Sequence, residues 1–573
     1  MEERDPVLER NFIIFMIISI AVIFGWMYLM GKKAPPPKPK TPPAQVAETK
    51  EEPEKKPPAE KKQAPPLKEE LPEKIKPLSV QKEQEVIVQN SRYRIVFTNR
   101  GAVPVSWELL KYKDRVYFPY EISLRWPPFR KVPKFEPRPI QLIKPELREK
   151  PPLRCKIVIN GQELGEDLSW QTNQTRLHVD SEKQSLEFKL PLGNGVYLSK
   201  IYTFYPDNYQ VDLKIRYSGI EIDPKKSEAD FYLSFIFEPL NRLARINFHG
   251  PILHTGEKLV KIPLKDLNKQ ARTEKVADWA GFTDSYFLYA LLAPKDAPLS
   301  VLAYYSGPKE LLKEKKANKE YSLKLGFRPS ARILAENSLA ELELYFGPKE
   351  KETLEKARKT LGMAIDYGIW WPIALPLMYA LKYINKVVHN YGWSIVILTI
   401  ILRMAMFPLT RKSQKSIKEF QKLQPEIEKI RKKYPDDRMK QQEEILALQR
   451  RYKINPMGGC LPMLIQIPIF FAFYKMLLVS IELRLAPWIL WIQDLSSRDP
   501  LLILPILMGV SQYLMQKLTP TAGGDPMQVK MMQLLPIFFT FLLMYFPAGL
   551  LLYWTVSNIV GILQQIYVNR TTT

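Results

Sequence analysis

Apolar residues fall along this chain in blocks separated by long polar stretches. Runs at 11–30, 391–409, 460–480, 500–516 and 531–568 stand out. A bilayer core takes about 20 apolar residues in a helix, so the first four runs each suit one crossing. The last run is too long for one, and Phe546, Pro547, Ala548 and Gly549 interrupt it. It therefore reads as two helices joined by a tight turn. The pattern predicts six spans: 11–30, 391–410, 460–480, 500–516, 531–547 and 548–568.

The polar stretches have patterns of their own. Residues 31–80 are dominated by Pro, Lys, Glu and Ala; such a segment cannot bury a core and is expected to be a disordered tether. From 81 to 350 the chain alternates apolar and polar residues at period two, as at Leu186, Phe188 and Leu190, at Val211, Leu213 and Ile215, and at Leu342, Leu344 and Phe346. With turn signals between the runs, this predicts a large antiparallel β-sandwich. Gly-Pro-Lys-Glu occurs at 307–310 and again at 347–350, which reads as a repeated strand-to-helix turn. Residues 351–390 connect the sandwich to the second span. Within them, 366–388 is amphipathic and aromatic and is expected to lie on the bilayer surface, interrupted at Pro372 and Pro376. In 411–459, Ile417, Phe420, Leu423, Ile427 and Ile430 recur at three- and four-residue steps. A turn at Tyr434, Pro435, Asp436 and Asp437 follows, then a second stripe at Ile445, Leu448 and Tyr452. This predicts an antiparallel helical hairpin. The chain thus reads as a multi-domain membrane protein, a polytopic α-helical bundle of six spans with an extracytoplasmic antiparallel β-sandwich.

Charge sets the orientation. The 411–459 loop carries 14 Lys and Arg, which places it in the cytoplasm. Alternation then puts both termini (1–10 and 569–573) and the 517–530 loop inside. The sandwich and the 481–499 loop lie outside. One local signal opposes this: Met1–Arg10 is acidic on balance, and Lys32 and Lys33 follow the first run. The larger bias of the hairpin decides. No A-x-A cleavage site precedes Gly31, so the first run reads as an uncleaved anchor. The net charge of +24 is spread over the tether, sandwich and hairpin. Anionic lipid accounts for it, without reading of a specific nucleic-acid sequence.

Candidate chemistry is sparse outside the membrane. There is no Gly-rich phosphate loop, no nucleophile elbow, no H-E-x-x-H and no C-x-x-C. Cys155 and Cys460 are the only cysteines, and no disulfide framework follows. His249 and His254 lie close in sequence, without a carboxylate or thiol cluster to complete a metal site. Asp278 and Asp366 have no assigned partner. No enzyme activity, metal or cofactor is expected.

The membrane segments are richer. Arg403 lies inside the second apolar run, where a charge costs at least about 2.5–3.5 kcal/mol on insertion scales. Thr399 sits one turn away on the same face. The third span adds Gln466, and the last adds Trp554, Asn558 and Gln565 at spacings of four and seven. If these stripes face one another, they line a wet, positively charged groove. A second reading stands beside it. Arg403 is only about 10 Å from the cytoplasmic helix end at the helical rise and can snorkel to the headgroups. Gln466, Asn558 and Gln565 then serve as interhelical hydrogen-bond glue. Lys475 is expected to snorkel outward.

Several ordered phrases resemble one family. They include Asp366-Tyr367-Gly368-Ile369-Trp370, the Arg403 helix ending at Phe407-Pro408-Leu409-Thr410, and Asn455-Pro456-Met457-Gly458-Gly459-Cys460. Ile465-Gln466-Ile467-Pro468-Ile469-Phe470, Glu482 to Pro487, Asp525-Pro526-Met527-Gln528, Phe546-Pro547-Ala548-Gly549 and Val556-Ser557-Asn558 follow. Together they resemble the YidC-type membrane protein insertases in their Gram-negative form, over most of 366–568. The resemblance implies a bacterial inner-membrane protein, with residues 31 to about 390 periplasmic, both termini cytoplasmic and no nucleotide hydrolysis. It implies a substrate groove at Arg403, Thr399, Gln466, Trp554, Asn558 and Gln565. A hydrophobic slide would run along Ile467, Phe471 and Tyr553. Trp554 stands where the family pattern has a tyrosine. Partner docking would fall on Lys415, Lys418, Lys422, Tyr434 and Asp436 of the hairpin region. The implied partners are nascent membrane proteins, the Sec translocon, the ribosome and signal-recognition pathway, and the bilayer, with no cofactor. A solute transporter would need a polar path through both leaflets, and no inverted repeat is present. An envelope enzyme would need a carboxylate or nucleophile constellation in the sandwich.

Overall fold

The computed structural model describes residues 83–122, 129–237, 247–314, 317–435, 437–452, 461–518 and 526–571. The first apolar run, the tether, Cys460 and Asp436 lie outside the described residues.

Period-two alternation builds the β-sheet half. Its largest sheet has eight antiparallel strands. From edge to edge they are Gln184–Gly193, Val196–Phe204, Gln210–Ser218, Ser338–Pro348, Phe287–Leu292, Trp279–Thr283, Gly250–His254 and Leu259–Lys261. Registers such as Leu186↔Tyr202, Tyr202↔Leu213, Leu213↔Leu342 and Tyr289↔Phe346 put one set of large apolar residues on a single face. Two smaller sheets cover that face. Phe97 of a five-stranded sheet packs on Tyr202 at 4.7 Å, and Phe235 of a six-stranded sheet packs on Tyr289 at 4.6 Å. The opposite face receives the segment after the last strand: the indole of Trp279 donates to Thr360 at 3.1 Å, and Arg358 pairs with Glu343 at 3.5 Å. The expected sandwich is thus three large sheets plus a two-stranded ribbon of Tyr120–Ile122 and Phe129–Lys131, and one pairing among the described residues departs from antiparallel: Glu85–Gln89 runs parallel to Arg176–His178. Both Gly-Pro-Lys-Glu phrases lead into short helical turns, Lys309–Leu312 and Lys351–Ala357.

Among the described residues eight helices, labelled α1 to α8, form the other half. Helix α1, Trp371–Val388, passes through both prolines that were expected to interrupt it. Pro372 falls in the first turn, where its missing N–H is an orphan anyway. The exposed residues Trp371, Tyr379, Tyr383 and Val387 recur every four or eight positions, giving α1 one apolar outer stripe. Helix α2, Tyr391–Lys422, is capped by the Asn390 side chain, which accepts from Trp393 N at 3.1 Å. It does not end near 410 as expected but runs through Pro408, which removes one backbone bond from the ladder. The hairpin proper is α3, Gln424–Lys433, and α4, Arg438–Arg451, closed by Leu423, Ile427, Phe420, Ile445 and Leu448. Then come α5 (Leu461–Val479), α6 (Ile503–Leu518), α7 (Pro526–Leu543) and α8 (Ala548–Thr571). By length and composition α2 and α8 are long and apolar enough to cross a membrane, while α5 and α7 hold shorter apolar segments. The turn expected at Phe546–Gly549 is present: Gly549 N donates to Leu495 O at 2.9 Å as α8 begins. Exposed Ile506, Val510, Phe541, Ile559 and Leu563 give the bundle an apolar exterior, which suits lipid.

The halves are joined by polar contacts. Arg484, between α5 and α6, donates to the carbonyls of Lys113 and Asp114 at 2.7 and 2.8 Å. Lys475 does not snorkel outward; its Nζ donates to Asn247 Oδ1 at 2.8 Å, and Asn247 Nδ2 donates to Leu478 O at 2.8 Å.

Lys200 lies on the covered face of the large sheet, fully buried, donating to Gly101 O at 3.2 Å and Leu153 O at 3.4 Å. Burial lowers its amine to about 8 from 10.5. The folded state then binds fewer protons than the unfolded state between those values, so its penalty is full below about 8 and fades as pH rises. We predict that the difference in unfolding midpoint between Lys200→Met and the parent chain changes in the parent's favour from pH 7 to pH 10. A pH-independent difference, measured by circular dichroism in mild detergent, would contradict the assignment.

Candidate functional site

The polar residues of the helical half concentrate where α2, α5, α6 and α8 meet. Helix α8 is the hub because it carries polar side chains on two faces. Tyr553 and Ser557, four residues apart, share one face. The carboxamide of Gln466 on α5 donates to the Tyr553 hydroxyl. Arg403 Nε donates to Ser557 Oγ at 2.6 Å, and Gln564 Nε2 donates back to the Arg403 carbonyl at 3.1 Å. Charge-assisted bonds of this kind are stronger than neutral ones, so Ser557 fixes where the guanidinium sits. Gly561, one turn on, keeps the space open. A Cβ there would come within 2.8 Å of Met515 Cε on α6 and 3.6 Å of Arg403 Nη1.

Trp554 and Asn558 share the second face and turn toward α6. The Trp554 indole donates to Gln512 Oε1 at 3.0 Å, and Asn558 Nδ2 donates to Ser511 Oγ at 3.1 Å. The Trp554 ring also meets Phe470 edge-on at 4.8 Å. Thr399 is buried and bonds back to its own helix at Ile395 O, 2.7 Å. Gln565 is buried and bonds to Asn569 Oδ1 at 3.1 Å within α8. The structure therefore brings Arg403 and Gln466 to the Tyr553–Ser557 face. It sets Trp554 and Asn558 against α6, and Thr399 and Gln565 on local partners. Ser557 and Gln564 were not singled out in the sequence; the four-residue step from Tyr553 was the available signal for Ser557.

Along α5, Ile467 and Phe471 are half-buried. Phe471 stacks on Trp370 at 5.4 Å, and Phe473 stacks on Tyr553 at 4.6 Å. This gives α5 and α8 a shared aromatic surface beside the polar cluster. On the hairpin side, Lys415, Lys418 and Lys422 occupy the last turns of α2. The ring of Tyr434 lies between Lys433 Nζ at 5.3 Å and Lys440 Nζ at 5.1 Å. Among the described residues no group of three or more His, Cys, Asp or Glu could hold a metal. His254 pairs with Asp278 at 3.1 Å and Asp366 with Lys261 at 2.6 Å, so both acids have partners after all.

Two family models match the chain: 60Kd inner membrane protein over residues 383–573 and YidC periplasmic domain over 130–380. A protein of Geobacter metallireducens named membrane protein insertase YidC is 34% identical over 570 residues, 98% of each chain. The chain belongs to the YidC family. A Geotalea daltonii relative with the same name is 33% identical over 98% of this chain and 99% of its own. A crystal structure of an active YidC insertase aligns with 84% of this chain and 92% of its own at 19% identity, TM-score 0.34. The membrane-region match to the YidC family covers α2 through α8 and thus the whole polar cluster.

Removing the hydroxyl in Ser557→Ala leaves a half-buried guanidinium short of an acceptor and is expected to cost about 1.5–3 kcal/mol. Trp554→Phe removes only a neutral bond, at about 1 kcal/mol. Detergent unfolding midpoints should fall in that order. Equal effects, or a larger loss for Trp554→Phe, would show that Ser557 does not anchor Arg403.

Proposed function

We propose that this chain is a membrane protein insertase of the bacterial inner membrane, acting through a hydrophilic groove between α2, α5 and α8. The carrying observation is Arg403: a cation inside an apolar helix, held on Ser557 of a second helix and, among the described residues, not paired with a carboxylate. A neutral partner leaves the charge uncancelled, so the site attracts acidic and polar parts of a client. The main barrier to inserting a short segment is desolvating its polar flank, at several kcal/mol per unpaired group. A polar pocket partway into the bilayer shortens the dry path, and the apolar segment then drives itself into lipid. No nucleotide is required. The buried Oε1 atoms of Gln564 and Gln565 lack partners among the described residues, which supports a groove able to solvate what enters.

In this reading the sandwich is periplasmic and the α3–α4 hairpin cytoplasmic, within a six-span topology. The aromatic surface of α5 and α8 is the slide by which clients leave. Lys415, Lys418, Lys422, Tyr434 and Asp436 form the docking side for ribosome and signal-recognition partners. Cooperation with the Sec translocon and a chaperone role belong to the same proposal. The transporter reading is weaker, because the cluster is confined to one set of helices.

A photoreactive amino acid placed at Ile467 or Phe471 should capture a nascent client. The same probe at Ile506, on the exposed side of α6, should not. Equal capture at both places would overturn the slide.

A further inference from the structure

A second charged region lies far from the groove, where the sandwich rests on the ends of α1 and α5. Two adjoining cavities meet there and share Lys349. Five lysines line them, at 261, 349, 351, 382 and 475, against two carboxylates, Asp366 and Glu482. Both carboxylates are already engaged: Asp366 with Lys261 at 2.6 Å and Glu482 with Lys382 at 2.5 Å. The remaining ammonium groups rest mainly on neutral acceptors. Lys349, only 4% exposed, donates to the Asp284 carbonyl at 2.6 Å. Lys475 donates to Asn247 Oδ1 at 2.8 Å. Lys351 donates to the Tyr379 hydroxyl at 2.7 Å, with Glu355 farther off at 3.8 Å.

Each ammonium has three donors and no acceptor, and a desolvated cation without a counter-charge is costly. Glu352 also reaches Lys382 at 4.0 Å, so the cations whose direct partners are neutral are Lys349 and Lys475, and each keeps unused donors. Ile365, Leu375, Met378 and Val479 add aliphatic wall, beside aromatic and polar groups such as Tyr367 and Ser480. Lys475 is four residues from the end of α5, about 6 Å at the helical rise. That depth corresponds to lipid headgroups, beside the exposed Trp371, Tyr379 and Tyr383 of α1.

We propose that this seam binds a phosphate-bearing anion, the headgroup of an anionic phospholipid, whose acyl chains run down the apolar stripe of α1. The bound phosphate bridges Lys349, Lys351 and Lys475 and ties the sandwich to the helical bundle. Burial lowers the Lys349 amine to about 8, which leaves it largely protonated at neutral pH and able to pair with the phosphate.

The test uses the purified full chain in mild detergent, titrated separately with dihexanoyl phosphatidylglycerol, dihexanoyl phosphatidylcholine and inorganic phosphate, reading the unfolding midpoint. The phosphatidylglycerol arm should raise the midpoint saturably, and the other two should not at equal concentration. In a Lys349→Met/Lys475→Met variant the half-saturating concentration should rise about tenfold or more. Should that variant fail to fold, Lys351→Gln at the rim should still weaken saturation about threefold. An equal response to inorganic phosphate would assign the site to a free anion and overturn the lipid. An equal response to phosphatidylcholine, or saturation unchanged in the variants, would overturn the site itself. Insertion activity is not the readout, so the result is independent of the groove.

Discussion

A guanidinium surrounded by apolar helices has to be answered from inside the protein, because lipid offers it nothing. Much of the helical half is arranged around that constraint. Arg403 reaches Ser557 across the α2–α8 contact, and Gln564 returns a bond to the Arg403 backbone. Gly561 admits the approach of α6 and α8. The partner is a hydroxyl, so the bond orients the cation without neutralising it. A carboxylate in that place would make a closed ion pair, at low energy and with little attraction left for a client.

Helix α8 works because its two polar faces do different things. Trp554 and Asn558 fasten it to α6 through Gln512 and Ser511. Tyr553 and Ser557 face Gln466 and Arg403. The first face holds the helix still and the second presents chemistry. Trp554 stands where the resemblance implies a tyrosine and gives its indole N–H to Gln512, while its neighbour Tyr553 takes the Gln466 carboxamide; the 100° turn between neighbouring residues separates the two roles. At the other end of the bundle, Lys475 and Arg484 fasten the sandwich onto the helices. The polar cluster at one level and a polar junction at another then share the same helix, α5.

The legible features in the sequence were those carried by periodicity. Period-two runs placed the strands, apolar runs placed α5, α6 and α8 within a few residues, and the Phe546–Gly549 interruption marked the turn before α8. Arg403 was legible because its local environment contradicts its charge. Other features depend on neighbours distant in sequence. Ser557 is an ordinary helix residue until α2 is packed against it. Lys475 resembles a snorkelling lysine until Asn247 arrives from the sandwich. The prolines at 372, 376 and 408 misled because a helix held by tertiary packing can lose a backbone bond without ending. The third sheet was hidden because alternation reports that one face is covered, without saying how many sheets cover it.

The most direct measurement is insertion of a short, acidic-tailed membrane protein in cells depleted of their own insertase and supplied with Arg403→Lys or Arg403→Ala. The account predicts that both variants accumulate, that lysine restores insertion substantially and that alanine does not, since a positive charge in the groove is what draws the polar flank. Insertion by the alanine variant equal to the parent would contradict it and leave Arg403 as a structural tie between α2 and α8.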